Sequence, residues 1–431
     1  MRVCVITLGC KVNQYESQAM LSGLVAAGFT ACERAADSDV ILVNSCTVTA
    51  ASDSKVRQTL RRARRENPRA VLVLTGCMPQ AFPAAAEKLK EADIVLGNAN
   101  HAALRGDIRA FLSNRRRIVD IAPHTGKFEP MCVGRFYERT RAFVKIEDGC
   151  NRFCSYCIIP YARGRVCSKP LGDFRREAAE IAANGYREIV LTGINLSAYG
   201  QEFGLTLCDA VEAAGEPDGI RRVRLGSLEP ERLDAGTVAR LRRQAKLCPQ
   251  FHLSLQSGCD RTLKRMNRHY TAGEYLAIVR NLRASFENAA LTTDVMVGFP
   301  GETERDFRES LDFVREIGFA KMHVFIYSRR PGTAAAGLPG QVPPETGQAR
   351  SRRMLAAARE MRRAFFGTQT GLTEPVLVER RRAPDGEYEG YTANYTPVRF
   401  RSREGLCGQI VPVRITRAED DFCLGEPEPS P

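Results

Sequence analysis

No apolar run in the 431-residue chain is long enough to cross a bilayer, so a membrane-spanning helix is not expected. A signal-peptide profile is also lacking, since residues 3–8 already read as a strand. The expected location is the cytoplasm, with no membrane partner. Internal repeats and long low-complexity tracts are absent, which excludes a repeat array or an extended biased chain. Acidic residues are the minority charge: 50 Asp and Glu stand against 63 Lys and Arg, for a net charge of +13. That excess favours a polyanionic partner, nucleic acid being the commonest, although a solvated arginine-rich surface gives the same number. Hydrophobic residues at 44% and charged residues at 26% are ordinary for a chain long enough to build two or three cored domains. Cysteine is what the chain has in quantity. In a reducing cytosol its 15 cysteines are poor disulfide candidates, and spacing decides which of them carry chemistry.

The chain reads as an α/β protein in three parts. Short apolar or β-branched runs at 3–8, 40–43, 71–74 and 93–96 alternate with helical patterns, the signature of an open parallel sheet with crossover helices. A second series of strands is expected at 142–146, 188–191, 223–225, 251–255, 291–297 and 322–326, with helices between them. Six such units predict a full or partial β/α barrel. A Pro/Gly stretch then leads into an Arg- and Ala-rich helix. Strand-like runs at 375–379, 389–393, 396–400 and 408–415, with a turn at Pro384-Asp385-Gly386, predict a small β-barrel. The expected division is an N-terminal domain at 1–112, a linker at 113–138, the β/α barrel at 139–345, a basic helix at 346–369, the small β-barrel at 370–426 and a tail at 427–431. The last residues, from 425 on, read as frayed.

The first barrel strand runs into Gly149-Cys150-Asn151-Arg152-Phe153-Cys154-Ser155-Tyr156-Cys157. A four-iron cubane wants one external ligand per iron, so three thiolates leave one iron open. The amino and carboxylate groups of S-adenosylmethionine can chelate that iron, and an electron from the cluster can then break a carbon–sulfur bond. A structural zinc site is the alternative, with Cys167 as a fourth ligand, but zinc favours paired Cys-x2-Cys halves. Through Cys150, Cys154, Tyr156 and Cys157 the chain resembles the radical S-adenosylmethionine superfamily. The resemblance implies a partial β/α barrel with a 4Fe-4S cluster at its C-terminal mouth, and it makes Tyr156 a cofactor neighbour. It also makes Thr192 and Gly193, in Thr192-Gly193-Ile194-Asn195, candidates for contact with the methionine amino group, with Asn195 beside them. An ordinary strand-to-helix turn is the alternative there.

Further candidates lie at other strand ends. His252, Ser254 and Gln256 alternate with Phe251, Leu253 and Leu255, so the polar set is expected to point into the barrel. His252 could equally be a satisfied buried histidine. Arg224, Ser227 and Glu229 close one strand. Asp294 and Gly298 mark the next, where glycine permits close approach of a flat group such as adenine. Cys259 follows Gln256-Ser-Gly and receives no role.

Three more cysteines each follow a strand of the N-terminal sheet: Cys10 in Thr-Leu-Gly-Cys, Cys46 in Val-Asn-Ser-Cys and Cys77 in Leu-Thr-Gly-Cys. The C-terminal ends of parallel strands share one edge, so these three can meet and hold a second cluster with one free iron. Three buried cysteines that never meet are the alternative; Cys4 and Cys32 read as structural. With Thr-Leu-Gly-Cys10-Lys-Val-Asn13, Asn44-Ser-Cys46-Thr-Val-Thr, Thr-Gly-Cys77, the Cys150 loop, Gln256-Ser-Gly, Val297-Gly-Phe-Pro-Gly-Glu-Thr and Tyr327-Ser-Arg-Arg-Pro-Gly-Thr333, the chain resembles the methylthiotransferase family over nearly its whole length. The resemblance implies two 4Fe-4S clusters, and S-adenosylmethionine as both methyl donor and radical source. It also implies a C-terminal RNA-binding β-barrel of the TRAM kind, and an electron donor such as flavodoxin or ferredoxin.

The family divides by substrate: isopentenyladenosine in tRNA, threonylcarbamoyladenosine next to the anticodon, or an aspartate of a ribosomal protein. Leu-Gly-Cys-Lys-Val-Asn and the tail around Tyr391-Thr-Ala-Asn-Tyr395 resemble the threonylcarbamoyl branch, which makes the tRNA anticodon stem-loop the expected partner. A non-catalytic iron–sulfur RNA-binding protein is the rival from another class, and two intact cysteine triads argue against it. A helix over 55–69 carries Lys55, Arg57, Arg61, Arg62, Arg64, Arg65 and Arg69, suited to phosphate contacts or simply to solvation. Tyr388, Tyr391 and Tyr395 are expected either to stack on bases or to fill the small barrel.

Overall fold

A computed structural model describes residues 1–136, 140–383 and 386–428. The end of the expected linker with the first barrel residue (137–139), two residues of the Pro384-Asp385-Gly386 turn and residues 429–431 of the tail lie outside the described residues.

The N-terminal runs form β1 (Arg2–Thr7), β2 (Thr30–Ala31), β3 (Val40–Ser45), β4 (Val71–Gly76), β5 (Ile94–Leu96) and β6 (Ile118–Asp120). They make one parallel sheet in the order β2-β1-β3-β4-β5-β6. β3 and β4 are buried along their whole length, because crossover helices cover both faces. β6 falls inside the expected linker; it is only partly buried and follows Arg115-Arg116-Arg117. The helix expected at 55–69 runs Ala50–Glu66. Thr49 starts it by accepting a hydrogen bond from the Ser52 amide, and Pro68 bars its continuation.

The central strands are β7 (Ala142–Lys145), the short antiparallel pair β8 (Glu147–Asp148) and β9 (Cys167–Ser168), β10 (Glu188–Thr192), β11 (Arg222–Leu225), β12 (Ser227–Leu228), β13 (Gln250–Leu253), β14 (Ala290–Val297) and β15 (Lys321–Ile326). Parallel pairing gives β7-β10-β11 and β12-β13-β14-β15, with Gly226 separating β11 from β12. The expected partial barrel is therefore one series of strands broken once. Phe251, Leu253 and Leu255 are fully buried on its outer, helix-facing side.

The helix Pro344–Gln369 leads into β16 (Thr373–Arg381), β17 (Glu387–Thr392), β18 (Pro397–Arg401), β19 (Ile410–Ala418) and β20 (Cys423–Pro427). These close a barrel in the order β16-β17-β18-β20-β19 around Val376, Val398, Phe400 and Val413. The frayed reading is corrected for residues 425–427: β20 lies between β18 and β19, pairing with β18 at Cys423 and Leu424 and with β19 along its whole length. Tyr388 stacks on Phe400 in this core and donates its hydroxyl to the Glu404 carbonyl at 2.6 Å, so it is a core tyrosine.

Candidate active site

β1, β3 and β4 are neighbours in the N-terminal sheet, and the three cysteines stand just beyond their C-terminal ends. Cys10 precedes the helix Lys11–Ala26, Cys46 follows β3, and Cys77 opens the helix Cys77–Ala81. A side chain at Gly9 would meet the Cys46 Cβ at 3.0 Å, so glycine there lets the first two loops touch. Asn13 ties the loops together: its amide donates to Asn44 Oδ1 and to the Ser45 carbonyl, each at 3.0 Å, while the Cys10 thiol donates to its Oδ1 at 3.2 Å. Burial pushes the Cys77 thiol up to about 12; the Arg163 guanidinium opposes this, while Cys46 and Cys10 add to it. The three sulfurs thus share one electrostatic environment.

The second triad sits on the loop after β8. Burial likewise pushes Cys150 and Cys157 up to about 12, and Cys154 adds to both shifts. Tyr156 meets Phe299 edge-on at 6.4 Å, and Met296 and Tyr327 pack against the same small cluster. A cavity of about 160 Å³ opens beside this loop, lined by Tyr156, Cys157, Gln256, Asp294, Met296 and Tyr327 among others.

The other candidates divide. Thr192 ends β10 in the buried interior beside the loop. A Cβ on Gly193 would fall 2.5 Å from Glu147 Oε2, so only glycine lets that carboxylate sit under the turn, where it accepts from the Asn195 amide at 2.7 Å. Asn195 turns its side-chain amide to Cys150 Sγ at 3.9 Å. Ser227 and Ser254 bond to each other at 2.9 Å. Glu229 holds Arg268 at 2.5 Å, and Arg268 reaches Cys154 Sγ at 3.3 Å. His252 is the satisfied histidine, with Thr292 at 3.0 Å on one nitrogen and Asp294 at 3.4 Å on the other. His323 takes the second oxygen of Asp294 at 3.1 Å. Burial opposes ionisation of Asp294, but hydrogen bonds from the two histidines prevail and hold its carboxyl well below the usual range.

Two candidates are placed elsewhere. Arg224 is buried and spends its donors on Glu188 at 2.8 Å and on the Ala393 carbonyl at 2.9 Å, so it fastens the C-terminal barrel rather than facing the cysteine loop. Strand alternation predicts an inward side chain but not which end of the lumen it serves. Gly298 has φ +73°, and its Cα faces Gly347 of the helix Pro344–Gln369, 3.4 Å from where a Cβ would stand. The room a side chain would need there is taken by this helix.

Sequence reasoning missed the residues that join the sites. Arg163 ends the helix Ile159–Arg163, directly after the barrel loop, yet its Nε donates to Cys77 Sγ at 3.2 Å and its Nη2 to Glu16 at 3.0 Å. Lys145 reaches the same Glu16 carboxylate at 2.9 Å and Asp148 at 2.9 Å. Arg330 fastens the far side, bonding Asp53 at 2.7 Å and Thr47 at 2.8 Å. Arg163 lies outside the motifs and carries no signal in a chain this rich in arginine, while Arg330 lies within Tyr327-Ser-Arg-Arg-Pro-Gly-Thr333, whose sequence does not announce its partners.

Both sites suit iron–sulfur clusters. Each offers three thiols and one buried guanidinium, a donor matched to anionic sulfur. Asn98 points its amide at Cys77 Sγ from 3.8 Å and leaves its buried Oδ1 without a partner. At the barrel loop Asn195 Oδ1 and Glu147 Oε1 are also buried and unpartnered, acceptors fit for an ammonium group. A cubane takes one thiolate per iron rather than several on one ion. Among the described residues no three His, Cys, Asp or Glu side chains gather as a single ion needs.

Residues 2–97 match the family described as Uncharacterized protein family UPF0004, and residues 144–314 match the Radical SAM superfamily. The fold resembles the radical S-adenosylmethionine methyltransferase TsrM of Kitasatospora setae, solved with cobalamin and a 4Fe-4S cluster. The TM-score is 0.58 at 18% identity, over 78% of this chain and 76% of that one. The Threonylcarbamoyladenosine tRNA methylthiotransferase MtaB of Bacillus subtilis is 35% identical over 97% of this chain and 95% of its own length. Its namesake in Thermotoga maritima is 40% identical over 79% and 78%. The tRNA-2-methylthio-N(6)-dimethylallyladenosine synthase of Pelotomaculum thermopropionicum is 34% identical over 96% and 95%. Matched from end to end by such relatives, with the two cysteine triads in place, the chain belongs to the methylthiotransferase family of radical S-adenosylmethionine enzymes.

Proposed function

We propose that the chain is a tRNA methylthiotransferase that adds a methylthio group at C2 of N6-threonylcarbamoyladenosine, next to the anticodon, in the cytoplasm. The family uses S-adenosylmethionine and two 4Fe-4S clusters. The observation that carries the reading is the Arg163 link: the helix that follows the Cys157 loop donates directly to Cys77, so both cysteine sites belong to one active centre. The substrate rests on the relatives named for threonylcarbamoyladenosine.

When bound, the clusters and S-adenosylmethionine supply a carbon radical and a methylated sulfur, needed because an unactivated C–H bond offers no acidic proton. Cys150, Cys154 and Cys157 hold one cluster, and Cys10, Cys46 and Cys77 the other. Asn195 and Glu147 accept the ammonium of the methionine moiety, and the turn at Thr192 and Gly193 positions them. Arg268, steadied by Glu229, neutralises charge at Cys154, as Arg163 does at Cys77. Tyr156, Met296 and Tyr327 keep the cavity apolar, and Gln256 and Asp294 give it two polar anchors. His252 and Ser227 steady this wall through Asp294 and Ser254.

The anticodon stem-loop is held by phosphate contacts, and a reductant of the flavodoxin or ferredoxin class supplies the electron. Arg64 is spent on the Glu91 carbonyl and Asp93, so it braces the sheet. Lys55, Arg57, Arg65 and Arg69 make no ion pair among the described residues and remain for phosphate. Nucleoside mass spectrometry of tRNA from cells with and without the protein tests the reading. The methylthio derivative of threonylcarbamoyladenosine should vanish with the gene. Loss of the methylthio derivative of isopentenyladenosine instead would move the chain to the other tRNA branch.

A further inference from the structure

Lys11 is the residue after Cys10 and the first of the helix Lys11–Ala26. Its half-buried side chain leaves the N-terminal sheet and reaches the barrel, where its ammonium lies 5.9 Å over the ring of Phe143 on β7. Arg141 lies over the same ring at 5.9 Å and over Tyr391 and Tyr395 of the C-terminal barrel at 5.3 and 5.0 Å. Lys11 therefore stands where all three parts of the chain meet.

Among the described residues the charged groups that act most strongly on its ammonium are Arg141, Arg224, Glu188 and Lys321. Three are cations. The one anion, Glu188, is already spent on Arg224 at 2.8 Å, and Arg141 is paired with Glu379 at 2.5 Å. Among the described residues Lys11 makes no hydrogen bond and no ion pair. An ammonium partly withdrawn from water and set among like charges is unfavourable until an anion joins it. A threonylcarbamoyl group brings one, since its threonyl part ends in a carboxylate that adenosine and isopentenyladenosine both lack.

With threonylcarbamoyladenosine as the substrate, on which this depends, we propose that Lys11 is the specificity-determining residue that binds the threonyl carboxylate. The anchor is one residue from Cys10, so the group that distinguishes this nucleoside is held beside the site of the sulfur to be transferred. An isopentenyl group would leave the cation unpaired, which discriminates against it.

The test uses anaerobically reconstituted holoenzyme and two labelled anticodon stem-loop RNAs, one bearing threonylcarbamoyladenosine and the other its methyl ester. Wild-type protein should bind the acid about tenfold more tightly than the ester, as expected for a charge-assisted hydrogen bond. Lys11→Gln should bind both RNAs as wild type binds the ester, and Lys11→Arg should keep most of the preference, each at wild-type iron content. Equal wild-type affinities, a preference that survives Lys11→Gln, or equal weakening on both RNAs would overturn the assignment. So would a raised KM for S-adenosylmethionine with the RNA preference intact, which would make the methionine carboxylate the anion. Failure of the substrate reading shows separately: wild-type enzyme would then form no methylthio product on the acid RNA but would on an isopentenyl one.

Discussion

The two cysteine sites reach similar surroundings by opposite routes. The barrel triad is local: Cys150, Cys154 and Cys157 share one loop, and their guanidinium, Arg268, comes from the same barrel. The N-terminal triad is assembled from three strand ends, and its guanidinium comes from outside the sheet, from Arg163 on the helix that follows the barrel's cysteine loop. One site is therefore complete within its own fold, while the other is finished by its neighbour.

The largest effects should separate the triads by function. Replacing Cys150, Cys154 and Cys157 by Ala should abolish both S-adenosylmethionine cleavage and methylthio product. Replacing Cys10, Cys46 and Cys77 should abolish the product yet leave formation of 5′-deoxyadenosine. Each triple variant should hold about half of the wild-type iron, one cubane of two. Unchanged iron after the second replacement would remove the N-terminal cluster.

Arg163→Met comes next. It strips a fully buried cation from Glu16 and Cys77, and removing one partner of a buried pair costs about 3–5 kcal/mol. The midpoint of urea unfolding should fall accordingly, and iron should be lost first from the N-terminal site. Arg268→Met should spare that site and weaken the barrel cluster instead. If both variants lose iron from the same site, the contrast between a borrowed and a native guanidinium is wrong.

Asp294→Asn should act within the barrel alone and raise the KM for S-adenosylmethionine about tenfold, the value of one hydrogen bond to a charged group. Its pH dependence has a definite sign. A carboxyl held below its unfolded value of about 3.9 adds stability above that pH and loses it as pH falls through the lower folded value. Acid unfolding of the apo-protein below about pH 4 should therefore be less steep in the variant. The smallest effect is Tyr388→Phe, far from both sites, which removes one hydrogen bond in the C-terminal barrel. It should cost about 1 kcal/mol in thermal unfolding and leave both iron sites intact.

Much of this was legible in the sequence where the signal was periodic or closely spaced. The runs at 40–43 and 71–74 became β3 and β4, and the six barrel strands appeared in order. β6 and β20 were not legible, because β6 is partly exposed after a run of arginines and β20 reads Cys-Leu-Gly-Glu-Pro, poor in strand formers; only pairing partners define them. Arg224 and Gly298 looked like ligand contacts because each ends a barrel strand. Arg224 instead holds the C-terminal barrel, and Gly298 also leaves room for a helix, neighbours that no local pattern announces.

The sequence by itself determined the barrel cysteine loop, since a stretch of eight residues keeps Cys150 and Cys157 close, and a strand before them fixes which end of the barrel they occupy. It also determined that Cys10, Cys46 and Cys77 lie at one sheet edge, because parallel strands aim their C-terminal ends the same way. Only the tertiary structure decided that Arg163 would finish the second triad and that Lys11 would be left without an anion. Both depend on how separately folded parts dock. That docking is set by the buried Glu16, Lys145 and Asp148 charges and by packing between elements more than a hundred residues apart, which no spacing along the chain encodes.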